Sequence, residues 1–140
     1  MTNKATGGCL CGAVKYQVTG VLRPVVACHC TQCQKTSGHH VAATSAPREN
    51  IALLEEQGLK WYFSSKGIRR GFCQQCGGNL FWDHTDKSTV SIFAGTLDQP
   101  SKLKLVEHIY VEDKADYYEI TDGLPQRVGF QISGGAGHGE

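Results

Sequence analysis

Hydrophobic and polar residues alternate in five short segments of the chain, and this two-residue period is typical of β-strands with one buried face. The segments are residues 13–18 (AVKYQV), 60–63 (KWYF), 79–82 (NLFW), 89–93 (TVSIF) and 108–111 (HIYV). Glycines and polar clusters separate them, and no long window keeps a strong helical period. The pattern therefore predicts a mainly β protein.

One short helical segment is also expected. The stretch CTQCQKTSG after Cys30 predicts a helical turn that ends at Gly38, because glycine readily takes the left-handed conformation that closes a helix. The aromatic residues of the strands, Trp61, Phe63, Phe81 and Trp82, are interpreted as core, with a pocket wall as the alternative.

Length and composition restrict the class of protein. A chain of 140 residues fits one domain, predicted over residues 1–133, with a flexible tail over 134–140. A net charge of +1 without basic runs disfavours nucleic-acid binding. No apolar stretch is long enough for a membrane span, and the N-terminus lacks a signal-like apolar region. We expect a cytoplasmic protein with no membrane partner.

The seven cysteines all belong to CxC or CxxC clusters, which are typical of metal ligands rather than of disulfide frameworks. Two distant pairs can supply one complete four-sulfur zinc shell, which would act as a structural clamp. Glycines beside the cysteines would let backbone amides point toward the sulfur atoms. The pairs are Cys9 with Cys11 and Cys73 with Cys76, and the glycines are Gly12, Gly77 and Gly78.

The triplet Cys28, Cys30 and Cys33 would bind a second zinc, and its role has two interpretations. One is a second structural site, completed by His29, His39, His40 or His84. The other is a catalytic site, because catalytic zinc keeps three protein ligands and an exchangeable fourth. Three thiolates leave the zinc complex with a negative charge, so it would suit a thiol substrate better than the activation of water.

The chain resembles the glutathione-dependent formaldehyde-activating family, which also includes centromere protein V. The resemblance is carried by GGCLCGAVKY (7–16), CHCTQCQKTSG (28–38), RRGFCQQCGGNLFW (69–82) and HIYVEDKADYYEITDGLPQ (108–126), which occur in family order. It implies a zinc-containing β-tent fold of short antiparallel strands. It also implies a structural zinc on the four paired cysteines and a second zinc on Cys28, Cys30 and Cys33, which would carry catalysis.

The activity implied by this resemblance is that of a carbon-sulfur lyase that handles glutathione and its S-hydroxymethyl adduct with formaldehyde. The expected partner is therefore a small-molecule thiol. One rival hypothesis is a noncatalytic zinc module for interaction or chaperone-like binding, in which protein ligands saturate both zincs. Another is a metal-buffering or thiol redox protein, whose triplet would lose zinc quickly and oxidise easily.

Other polar residues have weaker interpretations. His29 is expected to point away from the metal, and His39 with His40 are expected to form a solvated loop pair or to border the pocket. Arg69 and Arg70 would bind substrate carboxylates or lie on a solvated strand edge. Asp122 is expected to cap backbone amides in a turn.

Overall fold

The computed structural model describes residues 3–130, which form ten strands, one α-helix and three short 3-10 turns. The strands are β1 Lys4–Gly8, β2 Lys15–Thr19, β3 Val25–Cys28, β4 Val41–Pro47, β5 Ile51–Glu55, β6 Leu59–Ser65, β7 Ile68–Cys73, β8 Asn79–His84, β9 Thr89–Phe93 and β10 Leu105–Ile109. The helix α1 is Thr31–Ser37, and the 3-10 turns are Arg48–Asn50, Ala94–Thr96 and Val111–Asp113. Within the described residues, no helix combines the length and the apolarity needed to cross a membrane.

The strands form two sheets. A three-stranded sheet has the order β1-β2-β5, and a seven-stranded sheet has the order β10-β3-β4-β9-β8-β7-β6. Pairing is antiparallel throughout these sheets except between β10 and β3, which are parallel. The mainly β fold predicted from the sequence is therefore confirmed, and the parallel pair is the exception to its antiparallel expectation. The predicted tail over 134–140 lies outside the described residues.

The buried side chains form two apolar clusters, and each contains cysteines. The larger is built around Tyr16, Leu80 and Ile92, includes Cys73, and packs against Cys9 and Cys76. The smaller is built around Val26, Val41 and Ile109, and includes Cys28, Cys30 and Cys33. Each cysteine group therefore lies beside a hydrophobic cluster, and the packing of that cluster helps to set the positions of its sulfur atoms.

The predicted strands differ in accuracy. The segments at 60–63, 79–82 and 89–93 lie within β6, β8 and β9, as predicted. The strand predicted at 13–18 begins instead at Lys15, and the one predicted at 108–111 ends at Ile109. There Tyr110 takes a left-handed conformation with φ of 55° and turns the chain away from the sheet.

The aromatic prediction is confirmed for two residues and wrong for one. Phe81 and Trp82 are buried, whereas Phe63 on the edge strand β6 is 61% exposed. Trp61 is half-buried, and the Arg69 guanidinium lies over its ring at 3.8 Å from the centroid. Arg69 therefore does not lie on a solvated strand edge, because β7 is an interior strand between β6 and β8.

Asp83 forms the polar centre of this part of the sheet. Its buried carboxylate accepts hydrogen bonds from Arg48 at 2.8 and 2.9 Å and from Arg69 at 2.8 Å. Burial opposes ionisation, but the two guanidinium groups outweigh it and hold the pKa of Asp83 below its usual value. The ion pairs join the turn after β4 to strands β7 and β8.

The substitution Asp83→Asn is expected to destabilise the protein by about 2–3 kcal/mol at pH 7, less than the ~3–5 kcal/mol of a fully buried pair because both arginines are partly exposed. Since the folded-state pKa is lowered, this stability is present above the unfolded pKa of about 3.9 and is lost as pH falls through the lower folded value. Urea unfolding of the wild-type protein and of Asp83→Asn at several pH values measures this difference in the free energy of unfolding. The exposed Asp86→Asn is the control, and equal stability of the two variants at pH 7 would contradict the prediction.

Candidate metal centres

The first group of cysteines joins two parts of the chain that are distant in sequence. Cys9 and Cys11 lie in the turn between β1 and β2, whereas Cys73 ends β7 and Cys76 lies in the turn before β8. Their four sulfur atoms lie within 4.8 Å of one another. Within residues 3–130, which contain all seven cysteines, no disulfide is formed.

The spacing of these sulfur atoms suits a tetrahedral metal shell. Cys9 Sγ lies 3.8 Å from Cys11 Sγ, which lies 3.7 Å from Cys73 Sγ. A tetrahedron with zinc-sulfur bonds of ~2.3 Å has edges of about 3.8 Å. The geometry of the cluster is therefore consistent with zinc.

Backbone amides surround this cluster and favour thiolates. The Val14 amide donates to Cys9 Sγ at 3.3 Å. The amides of Cys11 and Gly78 lower the pKa of the Cys76 thiol to about 6. The amide of Gly78 therefore has the role predicted from the sequence.

Ionising all four thiols requires a compensating cation. The Ala13 amide favours the Cys11 thiolate, but burial and the neighbouring sulfur atoms outweigh it and raise the pKa of Cys11 to about 11. A divalent ion would remove this conflict, because a coordinated thiol is deprotonated.

Three glycines shape the loops around the four-cysteine cluster. Gly12 and Gly77 have φ values of 86° and 80°, which favour glycine in these turns. A Cβ atom at Gly58 would lie 2.8 Å from Cys73 Sγ and 2.7 Å from Ala13 Cβ. The absence of a side chain at Gly58 therefore makes the space that Cys73 occupies.

The second group of cysteines lies where a strand passes into a helix. Cys28 is the last residue of β3, and Cys30 and Cys33 lie at the start of α1. All three side chains are buried, and their sulfur atoms lie within 4.8 Å of one another. No His, Asp or Glu of residues 3–130 joins this group of three sulfur ligands.

Local hydrogen bonding explains how the triplet converges. Cys30 is the N-cap of α1, and its sulfur accepts a hydrogen bond from the Cys33 amide at 3.3 Å. The helix ends at Gly38, which has a φ of 87°, as predicted. Cys28 pairs with Val41 of β4 and Ile109 of β10, so two neighbouring strands hold it.

Arg70 connects the same helix to the sheet. Its side chain is buried at 4% exposure, and its guanidinium donates to Gln32 Oε1 at 3.2 Å and to Thr36 Oγ1 at 3.5 Å. The interpretation of Arg70 as a solvated strand-edge residue was wrong. The structure places it beneath α1, where it helps to hold the helix that carries Cys33.

His29, between two of the cysteines, is buried and does not join their sulfur atoms, which agrees with the expectation that it points away from the metal. Its Nε2 lies 2.9 Å from His108 Nδ1, and its Nδ1 lies 2.9 Å from the Tyr118 hydroxyl. Because both ring nitrogens are engaged, His29 does not complete the triplet. Among the other predicted alternatives, His84 lies at the far end of β8, beside Trp82.

The histidine pair after α1 is only partly solvated. His39 is exposed, and its Nδ1 lies 2.5 Å from the Tyr117 hydroxyl. His40 is half-buried and lies between the rings of His39 and His29, with centroid distances of 4.4 and 4.9 Å. The expectation of a solvated pair therefore fits His39 but is wrong for His40.

Strand β10 and the segment after it supply residues that the sequence interpretation did not assign to the site. Asp122 Oδ1 accepts from the Leu124 amide at 3.0 Å, which confirms the predicted turn. Its Oδ2 also lies 2.8 Å from His108 Nε2. His108, Tyr118 and Asp122 all lie in the motif at 108–126. The contacts of His108 and Tyr118 with His29, and of Asp122 with His108, depend on tertiary structure.

The fold and the two cysteine groups define a class of small, mainly β proteins with two potential metal centres. The profile of the glutathione-dependent formaldehyde-activating enzymes matches residues 4–113, and the chain belongs to this family. Its relatives include an uncharacterized lyase of Schizosaccharomyces pombe, 25% identical over 117 residues, which cover 83% of this chain and 85% of the relative. Family membership supports an enzyme of the lyase type.

Solved structures give independent support for the fold. A crystal structure of a Rhodobacter sphaeroides protein matches with a TM-score of 0.60 and 19% sequence identity. The match covers 86% of this chain and 98% of the other. At this identity the likeness establishes the fold alone.

Proposed function

We propose that this protein is a zinc-dependent carbon-sulfur lyase, with its reaction centre at Cys28, Cys30 and Cys33. The proposed substrates are glutathione and formaldehyde, with S-hydroxymethylglutathione as their adduct. The observation that carries the proposal is the contrast between the two cysteine groups. One offers four sulfur ligands, whereas the other offers three within the described residues.

The donor set of the triplet suits a thiol substrate. Zinc held by Cys28, Cys30 and Cys33 would supply a position at which a thiol loses its proton and remains nucleophilic. The protein's own contribution is to hold the three sulfur atoms in place. Strand β3 fixes Cys28, and the first turn of α1 fixes Cys30 and Cys33. Burial of the three side chains limits the access of water.

The proposed reaction balances without an oxidant or reductant. In the forward direction, the sulfur of glutathione forms a bond to the carbonyl carbon of formaldehyde. The π electrons of the carbonyl group move to its oxygen, which gains a proton as the thiol loses one. In the reverse direction, the hydroxyl group loses its proton and its oxygen forms the carbonyl of formaldehyde. The carbon-sulfur bond breaks with its electron pair on sulfur, which gains a proton as the thiol is released. The lyase name applies to this reverse direction.

The exchange of 13C-formaldehyde with its glutathione adduct tests the proposal directly, since nuclear magnetic resonance measures it at equilibrium. Purified protein with two zincs per chain should accelerate the exchange above the spontaneous rate in buffer. The same protein with 2-mercaptoethanol in place of glutathione tests the substrate class. If the protein leaves the exchange rate of the glutathione adduct equal to its spontaneous rate in buffer, the result would contradict the proposal and favour the noncatalytic zinc module.

A further inference from the structure

A chain of four hydrogen-bonded side chains connects the loop of the cysteine triplet with the C-terminal segment. It runs from the Tyr118 hydroxyl to His29 Nδ1 at 2.9 Å, and from His29 Nε2 to His108 Nδ1 at 2.9 Å. It ends between His108 Nε2 and Asp122 Oδ2 at 2.8 Å. His29 and His108 are buried, whereas Asp122 is at the surface.

The donor and the acceptor of each hydrogen bond in this series follow from the chemistry of the four groups. The Leu124 amide and then His108 hold the pKa of Asp122 below its usual range, so its carboxylate accepts from His108 Nε2. In neutral His108 the other nitrogen, Nδ1, must then accept, which requires His29 to donate from Nε2. His29 Nδ1 consequently accepts from the Tyr118 hydroxyl. With both rings neutral, each imidazole therefore carries its proton on Nε2.

The main chain of His29 is held as firmly as its ring. Its amide donates to the Ile109 carbonyl at 3.0 Å, and its carbonyl accepts from Gln34 Nε2 at 2.8 Å. Its neighbours on either side are Cys28 and Cys30. The ring and the main chain of His29 together therefore form a fixed anchor, and one peptide unit on each side connects it to two of the three proposed ligands.

We propose that Tyr118, His108 and Asp122 are positioning residues of the triplet, which act through His29 to hold Cys28 and Cys30 in the arrangement that binds metal. This inference rests on the proposed function, because it concerns the same site. The outer partners of metal ligands are worth about 10- to 100-fold in metal affinity or activity. Here the effect passes through the backbone, and we expect the lower end of that range, about 10-fold in zinc retention.

The test follows zinc release to a chromogenic chelator from protein loaded with two zincs. The variants are Tyr118→Phe, which keeps the ring, Asp122→Ala, and His108→Asn. Each should release the triplet zinc about 10-fold faster than wild type. Release from the four-cysteine cluster should be unchanged, which serves as an internal control for folding. Asp116→Asn, at an exposed carboxylate of the same segment, should behave like wild type.

A second measurement reports on the hydrogen-bonded chain of side chains and does not depend on zinc. Long-range proton-nitrogen spectra at pH 7.5 should show the Nε2-protonated tautomer for both His29 and His108 in the wild-type protein. In Asp122→Ala the signal of His108 should no longer be confined to that tautomer. If His29 of the wild-type protein is protonated on Nδ1, the proposed donor direction of the hydrogen bonds is wrong.

The results separate this inference from the proposed function. Release rates in all three variants equal to that of Asp116→Asn would overturn the positioning role, even if the wild-type protein catalyses the exchange. If the variants release the triplet zinc faster and the wild-type protein does not accelerate the exchange, the results would support the positioning role and contradict the lyase activity. A wild-type triplet that retains no zinc would overturn both.

Discussion

Cys30→Ser is expected to abolish acceleration of the glutathione-formaldehyde exchange while leaving the fold intact. Cys30 contributes one of three sulfur atoms to the triplet and also caps α1. Serine is a preferred N-cap residue, so its hydroxyl can replace the capping role of the sulfur. It is a much poorer ligand for zinc than a thiolate. The chemical and structural roles of Cys30 are thereby separated.

We expect a loss of at least about 100-fold in the catalysed exchange rate, since losing a ligand should cost no less than losing an outer partner. The free energy of unfolding should change by less than about 1 kcal/mol. Exchange spectroscopy and urea unfolding measure the two effects. Thr31→Ser, a conservative change at the neighbouring exposed residue, is the control. Wild-type turnover in Cys30→Ser would remove the triplet from the mechanism.

Cys73→Ser is expected to have the opposite consequence, with loss of the fold itself. Cys73 is completely buried in the larger core cluster and belongs to the four-cysteine group. This group joins the β1–β2 turn to the β7–β8 turn. A structural zinc site contributes about 10–16 kcal/mol of apparent binding energy, which matches or exceeds the ~5–15 kcal/mol stability of a typical domain.

Circular dichroism should therefore show that Cys73→Ser is largely unfolded at 25 °C, whereas Cys30→Ser melts cooperatively near the wild-type Tm. The two variants are matched controls, because each replaces one buried cysteine by serine. Exhaustive chelation of the wild-type protein should reproduce the effect of Cys73→Ser. A cooperative transition at the wild-type Tm in Cys73→Ser would contradict the structural role assigned to the four-cysteine cluster.

The sequence was most informative where chemistry is encoded locally. The spacing of the cysteines predicted two separate groups, and the sulfur atoms of each group converge in the structure. Gly38 predicted the end of α1, because its left-handed backbone is a local requirement. The alternation in NLFW and TVSIF predicted β8 and β9, and both strands lie in the interior of the seven-stranded sheet.

Elements that depend on tertiary contacts were not predicted. Strand β3 is buried at all four positions, so it has no alternation, and β4 consists mostly of small residues. Arg70 resembles a solvated residue in the sequence, but its guanidinium is buried against α1. The approach of Asp122 to His108 depends on the turn that begins at Tyr110, whose left-handed conformation is uncommon for tyrosine.

The open position at the triplet is the central claim of this account, and zinc-edge X-ray absorption tests it most directly. Protein with two zincs should show an average of about 3.5 sulfur ligands per zinc, from one four-sulfur and one three-sulfur site. Addition of glutathione should raise the average toward about 4, as its thiol joins Cys28, Cys30 and Cys33. An average that glutathione leaves unchanged would contradict thiol binding at the triplet and favour a noncatalytic zinc module.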